Sequence, residues 1–145
     1  LIIDDPRRFG GVEIAPDEAA LGPDAWTLGV GGLRLALAGG RGPLKARLLD
    51  QSRIAGLGNL LVDEMCWRAS LDPCRPAGSL SDQESSVLAR VMRQVLNQLD
   101  KRGGSHMGDL FEHRGRGACC PQDGQPLTKT TIGGRTTWWC PLHQQ

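Results

Sequence analysis

Two short knuckles near the C-terminus carry the residue types with the clearest chemistry. Cys120-Pro-Gln-Asp123 is followed, sixteen residues later, by Cys140-Pro-Leu-His143. Thiolate and imidazole are the usual donors to tetrahedral zinc, and a carboxylate, although harder, also ligates it. Between the knuckles lie two β-capable runs, residues 127–132 and 135–139, joined by Gly133-Gly134. Glycine supplies the positive φ that a tight hairpin turn needs. A hairpin whose open end is closed by a metal compensates for having almost no core. The spacing therefore predicts one Zn2+ held by Cys120, Asp123, Cys140 and His143, with Cys119, adjacent to Cys120, as a substitute for Asp123 in strained geometry. The alternative is a metal-free hairpin held by Trp138, Trp139 and the neighbouring loop, with Asp123 as a turn residue. Such a finger is too small to be a catalyst. It presents one charged side chain, Arg135, at its turn.

A second candidate site is the glycine-punctuated turn Ile54-Ala-Gly56-Leu-Gly58-Asn59. Apolar spacing over residues 60–69 predicts a helix immediately after it. The free N–H groups of a helix start carry partial positive charge, and with no side chains in the way they form a phosphate site. Asn59 adds an amide donor at that position. Taken alone, a Gly-x-Gly-Asn string is more often a plain turn.

Several elements must position these groups. Residues 26–37 read as a weak helix, interrupted by Gly29, Gly31 and Gly32. Pro43 suits the first position of a short helix over 44–49. Ser81-Asp-Gln-Glu84 is a capping-box pattern that opens the longest helix, over about residues 82–101. Along it Val87, Leu88, Val91, Val95, Leu96 and Leu99 recur at three- and four-residue spacing and form one core-facing stripe, with Met92 at its border. Gly103-Gly104 ends that helix, and a polar, Gly/Arg-rich connection leads to the finger.

Composition narrows the class. The chain has 145 residues, 39% hydrophobic and 4% aromatic with no Tyr, which supports a modest core. No stretch of about eighteen apolar residues is present, which argues against a membrane span, and no charged-then-apolar leader opens the chain. Five cysteines, two of them in the knuckles, do not fit a secreted disulfide framework and point to a reducing cytosol. Cys66 and Cys74 read as buried or linker residues. The formal net charge is only +1. Between Lys101 and Arg135, however, Lys101, Arg102, Arg114, Arg116, Lys129 and Arg135 outnumber Asp109, Glu112 and Asp123. A local basic stripe suits a nucleic-acid backbone, and an ordinary solvated face explains it about as well. The opening Leu-Ile-Ile-Asp-Asp reads as mid-strand, as in a fragment of something longer.

Together these motifs resemble the formamidopyrimidine-DNA glycosylase/endonuclease VIII family of base-excision repair enzymes. The segment from Lys45 through Asp50-Gln51 and Gly56-Leu-Gly58-Asn59 to Asp63-Glu64 is similar to that family's helix–two-turn–helix element. Asp5-Pro-Arg7-Arg8-Phe9-Gly10 looks like the strand-end motif that closes its catalytic domain, and Leu21-Gly-Pro-Asp24 resembles the opening of its helical domain. Gly133-Gly-Arg135 lies where its zinc-finger arginine lies. The resemblance implies a mainly α fold in three parts: a remnant of the catalytic β-domain over 1–15, a helix–two-turn–helix domain over 16–102, and a linker with a β-hairpin zinc-ribbon finger over 103–145. It also implies roles. Asn59 and Arg135 would pinch the phosphates flanking a damaged nucleotide, and Lys45 would lie close to the same backbone. Arg7 would contact the base left unpaired, and Phe9 would wedge into the vacated stack. Clamped phosphates and an inserted wedge offset the few kcal/mol of stacking lost when a base is flipped. Arg116 and His113 would add backbone contacts. The expected partner is damaged or abasic double-stranded DNA, gripped by a cytoplasmic monomer with no membrane attachment.

The family's nucleophile, an N-terminal proline amine followed by glutamate, has no counterpart here. Pro6 and Pro16 are internal and offer no free amine for a Schiff base. The expectation is therefore the DNA-binding half of a bifunctional glycosylase/AP lyase, inactive alone. The alternative is a non-catalytic module that binds abasic or distorted DNA; a zinc ribbon serving protein or RNA contacts is a more distant third. The connection from Gly103 to Cys120 is short where relatives that grip oxidised guanine carry a longer loop. That argues against 8-oxoguanine and leaves oxidised pyrimidines, abasic sites or a formamidopyrimidine.

Overall fold

The computed structural model describes residues 17–145; the expected strand at residues 1–11, and with it Arg7 and Phe9, lies outside the described residues. The described chain forms four α-helices, α1 (Val30–Leu37), α2 (Leu44–Leu48), α3 (Asn59–Arg68) and α4 (Asp82–Arg102), followed by a hairpin of β1 (Thr128–Ile132) and β2 (Arg135–Trp139). The architecture is mainly helical with a small C-terminal hairpin, as the sequence pattern predicts.

Helix α4 organises the core. At its start the Ser81 hydroxyl accepts from the Glu84 N–H at 3.2 Å, and the Glu84 carboxylate accepts from the Ser81 N–H at 2.7 Å, which completes the capping box. Gly103, at φ 99°, ends the helix in the left-handed region, where a Cβ would be strained. Its inner face buries Leu88, Val91, Met92, Val95, Leu96 and Leu99 against α1 and α3. Met92 is 1% exposed, so it sits within the stripe rather than at its border, being four residues from Leu88 and three from Val95. Val87 is the half-buried edge instead. Each fully buried side chain of this size contributes about 1.5–3 kcal/mol of transfer free energy.

Helix α1 begins at Val30, four residues later than its apolar pattern suggests. The Asp24 carboxylate accepts from the Trp26 N–H at 2.7 Å, and the Asp24 carbonyl accepts from Thr27 and Leu28, so a local turn occupies those residues. The same segment braces the turn between α2 and α3. Gly22 donates to the Gln51 carbonyl at 2.8 Å, and the Ala25 and Ala55 N–H groups reach Ala55 and Pro23 carbonyls at 3.0 Å each. Within that turn the Gln51 side chain donates to the Leu49 and Leu57 carbonyls and accepts from the Gly56 N–H.

The hairpin pairs Thr128 with Trp139 through to Ile132 with Arg135. Gly133 and Gly134, at φ 57° and 71°, make the two-residue turn whose twist matches the strands. Two contacts seat the hairpin on the helices. Its tip rests on α2, where a Cβ built at Gly133 would stand 3.4 Å from the Ala46 Cβ. Its base joins a small apolar cluster of Trp67, Leu110, Cys120 and Cys140, with Leu127 against it.

Candidate nucleic-acid interface and metal centre

The start of α3 and the tip of the hairpin face one open cleft of about 730 Å³, lined among others by Gly56, Gly58, Asn59, Ser105, Gly133 and Arg135. On one wall, Gly58 caps α3 in an extended conformation, with no side-chain cap and no acidic residue in the first turn. The positive end of the helix is therefore left open to an anion. On the other wall Arg135 is exposed, and its guanidinium makes no ion pair among the described residues. An oxyanion in this cleft meets a fixed backbone dipole from one side and a full positive charge from the other.

The two walls are tied together through one backbone atom. The Thr136 carbonyl, next in chain to Arg135, accepts from Asn59 Nδ2 at 3.1 Å, from Lys45 Nζ at 3.1 Å and from Arg114 Nη2 at 3.4 Å. Behind it Asp63 accepts from Lys45 at 2.6 Å on one oxygen and from Arg114 at 2.7 Å on the other. Burial pulls the Lys45 ammonium below its ordinary range and pushes the Asp63 carboxyl above its own; the contact between them opposes both shifts.

Lys45 therefore does not sit where the resemblance implies. It is 0% exposed, and its ammonium is spent on Asp63 and Thr136, so it supports the cleft from behind and cannot reach a ligand's backbone. Asn59 is half-buried at the cleft wall. Its amide nitrogen carries two N–H groups, one of which goes to Thr136, leaving the second for a ligand. Swapping its oxygen and nitrogen would set two acceptors against each other.

At the hairpin base the donor atoms of Cys120, Asp123 and Cys140 all lie within 4.8 Å of one another. Both cysteines are buried, Asp123 is exposed, and the Trp67 indole N–H donates to the Cys120 sulfur at 3.4 Å. The backbone N–H of Gln125 holds the Asp123 carboxyl below its ordinary range, while burial raises the Cys140 thiol. Two thiols and a carboxylate converging on one point fit three positions of a tetrahedral zinc. The fourth residue expected there, His143, is turned aside. Its Nε2 lies 2.9 Å from the Trp67 carbonyl and 3.3 Å from the Ser70 hydroxyl, and its ring packs obliquely on the Trp67 indole.

The basic stripe is also partly spent on ion pairs. Arg102 pairs with Asp109 and Arg114 with Asp63, and Arg116 is exposed but does not line the cleft. Cys66 is fully buried, its thiol pushed well up by desolvation, and Cys74 is exposed in a turn, in keeping with the sequence reading. The residues that sequence reasoning missed are Asp63, Arg114 and Thr136. A carboxylate on the buried face of a helix was the one available signal.

Comparison with known proteins follows the same lines. The profile of the formamidopyrimidine-DNA glycosylase H2TH domain matches residues 21–109. The formamidopyrimidine-DNA glycosylase of Erythrobacter litoralis is 36% identical over 166 residues, covering 97% of this chain and 61% of that protein. That of Paracoccus denitrificans is 39% identical over 171 residues, covering 100% of this chain and 60% of that protein. This chain thus spans about three fifths of the length of these curated relatives. An alignment of 171 positions against 145 residues also means that the relative carries stretches this chain lacks. Among solved structures, the MutM (Fpg) protein from Thermus thermophilus superposes with a TM-score of 0.76 at 35% identity, covering 86% of this chain and 54% of that one. The Lactococcus lactis Fpg in complex with DNA containing an abasic site gives 0.76 at 26% identity, covering 88% and 53%.

Proposed function

The chain belongs to the formamidopyrimidine-DNA glycosylase family, and from that premise we propose that it grips damaged or abasic double-stranded DNA by the backbone, as the DNA-binding half of a base-excision repair glycosylase/AP lyase of the cytoplasm. The observation that carries this reading is the convergence of Asn59 and Arg135, from two different elements, on one cleft. A phosphate seated there accepts from the open first turn of α3, from the second N–H of Asn59 and from the Arg135 guanidinium. Charge-assisted hydrogen bonds of this kind are stronger than neutral ones and hold a phosphate in a fixed place. Fixing phosphates is what an enzyme needs while a nucleotide is rotated out of the duplex.

Cys120, Asp123 and Cys140 would hold a zinc ion, with His143 completing the set by turning its ring away from Trp67, or a water doing so. When bound, the metal closes the open end of the hairpin and so stiffens the strand that bears Arg135. Arg7 and Phe9 keep their proposed roles on the unpaired base and the vacated stack, and Arg116 keeps that of a peripheral backbone contact. Pro6 and Pro16 lie within the sequence in peptide linkage and offer no free amine for a Schiff base. Borohydride treatment of the chain with an abasic duplex is therefore expected to leave no covalent adduct; a trapped adduct would overturn the division of labour.

The test of the clamp is a salt titration of binding to a duplex bearing a tetrahydrofuran abasic analogue. Arg135→Ala should lower affinity by about 1–3 kcal/mol, the scale of a charge-assisted hydrogen bond. It should also reduce the slope of log K against log salt by about one, as for a single phosphate contact. An unchanged slope would remove Arg135 from the clamp.

A further inference from the structure

A phosphate clamp works only if its arginine is held at the right height above the cleft, and the hairpin bearing Arg135 is just two strands wide. We infer that Arg114, acting through Asp63 and the Thr136 carbonyl, is a positioning residue that locks the hairpin against α3 and so sets where Arg135 meets DNA; this rests on the clamp reading above.

Three observations carry it. First, the lock is adjacent to the residue it serves. Thr136 follows Arg135, and its carbonyl faces outward from the hairpin edge, where three donors from α2, α3 and the linker meet it. Of these Arg114 alone comes from the linker, so it ties together three separately placed stretches: its own, α3 through Asp63 and β2 through Thr136. Second, the charges are arranged so that Arg114 is the dispensable partner. Asp63 is 1% exposed at its side chain and Lys45 0%, and they form a one-to-one pair without Arg114. Removing Arg114 leaves no buried charge uncompensated, whereas removing Asp63 would strand two cations. Third, one nitrogen of Arg114 serves both partners: Nη2 donates to Asp63 at 2.7 Å and to the Thr136 carbonyl at 3.4 Å, so the helix and the strand are bridged by a single planar group.

The distinguishing experiment is a double-mutant cycle of Arg114 with Arg135, read by abasic-duplex affinity and salt slope, with thermal melting of each variant. Arg114→Met keeps the apolar stem and drops only the cation. If Arg114 positions Arg135, Arg114→Met weakens binding by roughly tenfold and lowers the slope by about one. The double variant should then be no more than about twofold weaker than Arg135→Ala, with its slope lowered by about one in total, because both changes remove the same phosphate contact. If Arg114 instead touches DNA itself, the two losses multiply and the slope falls by about two, which overturns the proposal. Binding by Arg114→Met that matches wild type also overturns it. Should Arg114→Met melt too low to measure, Arg114→Gln, which drops the cation but leaves an amide able to satisfy the neighbouring polar atoms, enters the cycle under the same criterion. An Arg135→Ala variant that binds like wild type would instead overturn the clamp reading, and the lock with it.

Discussion

At the scale of single residues, the site is built on one carbonyl. Thr136 offers an oxygen, and Asn59, Lys45 and Arg114 converge on it from three directions. Asn59 holds the hairpin with one N–H, and in the proposed clamp its other N–H serves a phosphate. Asn59→Ala is expected to weaken abasic-duplex binding by about 1 kcal/mol with no change in salt slope, because a neutral donor displaces no counterion. A slope change as large as that of Arg135→Ala would contradict the role assigned to it.

At the scale of elements, α4 is the beam on which the rest is mounted, and its first turn is unusually well tied. Arg75 Nη1 lies 2.6 Å from Glu84, and this bond, together with the Ser81 N–H, holds the Glu84 carboxyl down at about 2 against an ordinary value of 4.5. A carboxyl depressed in the folded state stabilises it fully above the unfolded value, and that stabilisation is lost as pH falls from about 4.5 toward 2. Acid unfolding followed by circular dichroism should therefore steepen across that window in the wild type and less so in Glu84→Gln. At neutral pH the same variant keeps the capping box, since glutamine also accepts from the Ser81 N–H, and should cost less than about 1 kcal/mol, the scale of the partly exposed pair with Arg75. Equal acid profiles for the two proteins would place the acid sensitivity elsewhere.

At the scale of the molecule, the polar lock at Thr136 adds a third attachment of the hairpin to its tip on α2 and its apolar base around Trp67 and Leu110. The candidate metal site lies at the base, where Cys140 Sγ is 3.3 Å from the Asp123 carboxylate. Elemental analysis is expected to find one zinc per chain, and chelation is expected to abolish binding to the abasic duplex while leaving the helical signal intact. No zinc, with binding preserved, would mean that the apolar base and the lock suffice. Among the described residues, no helix is long and apolar enough to cross a membrane.

The sequence by itself determined most of what depends on near neighbours in the chain, the exceptions being the start of α1, displaced by the Asp24 turn, and the place of Met92 within the stripe. The capping box at Ser81, the stripe from Leu88 to Leu99, the Gly133-Gly134 turn and the uncapped start of α3 are all local consequences of residue type and spacing. So is the meeting of Cys120, Asp123 and Cys140, because a hairpin brings its two ends together. Tertiary structure alone decided where long side chains spend their charge. Lys45 looks like a free cation in sequence, yet the fold sets it against Asp63, eighteen residues away, and against Thr136, ninety-one residues away. Arg114 reads as one member of a basic stripe and proves to be internal. His143 has the spacing of a ligand, but the Trp67 carbonyl, seventy-six residues distant, claims its ring. Lysine, arginine and histidine find partners across several ångströms in any direction, and periodicity along a chain carries no information about which distant acceptor the packing will deliver.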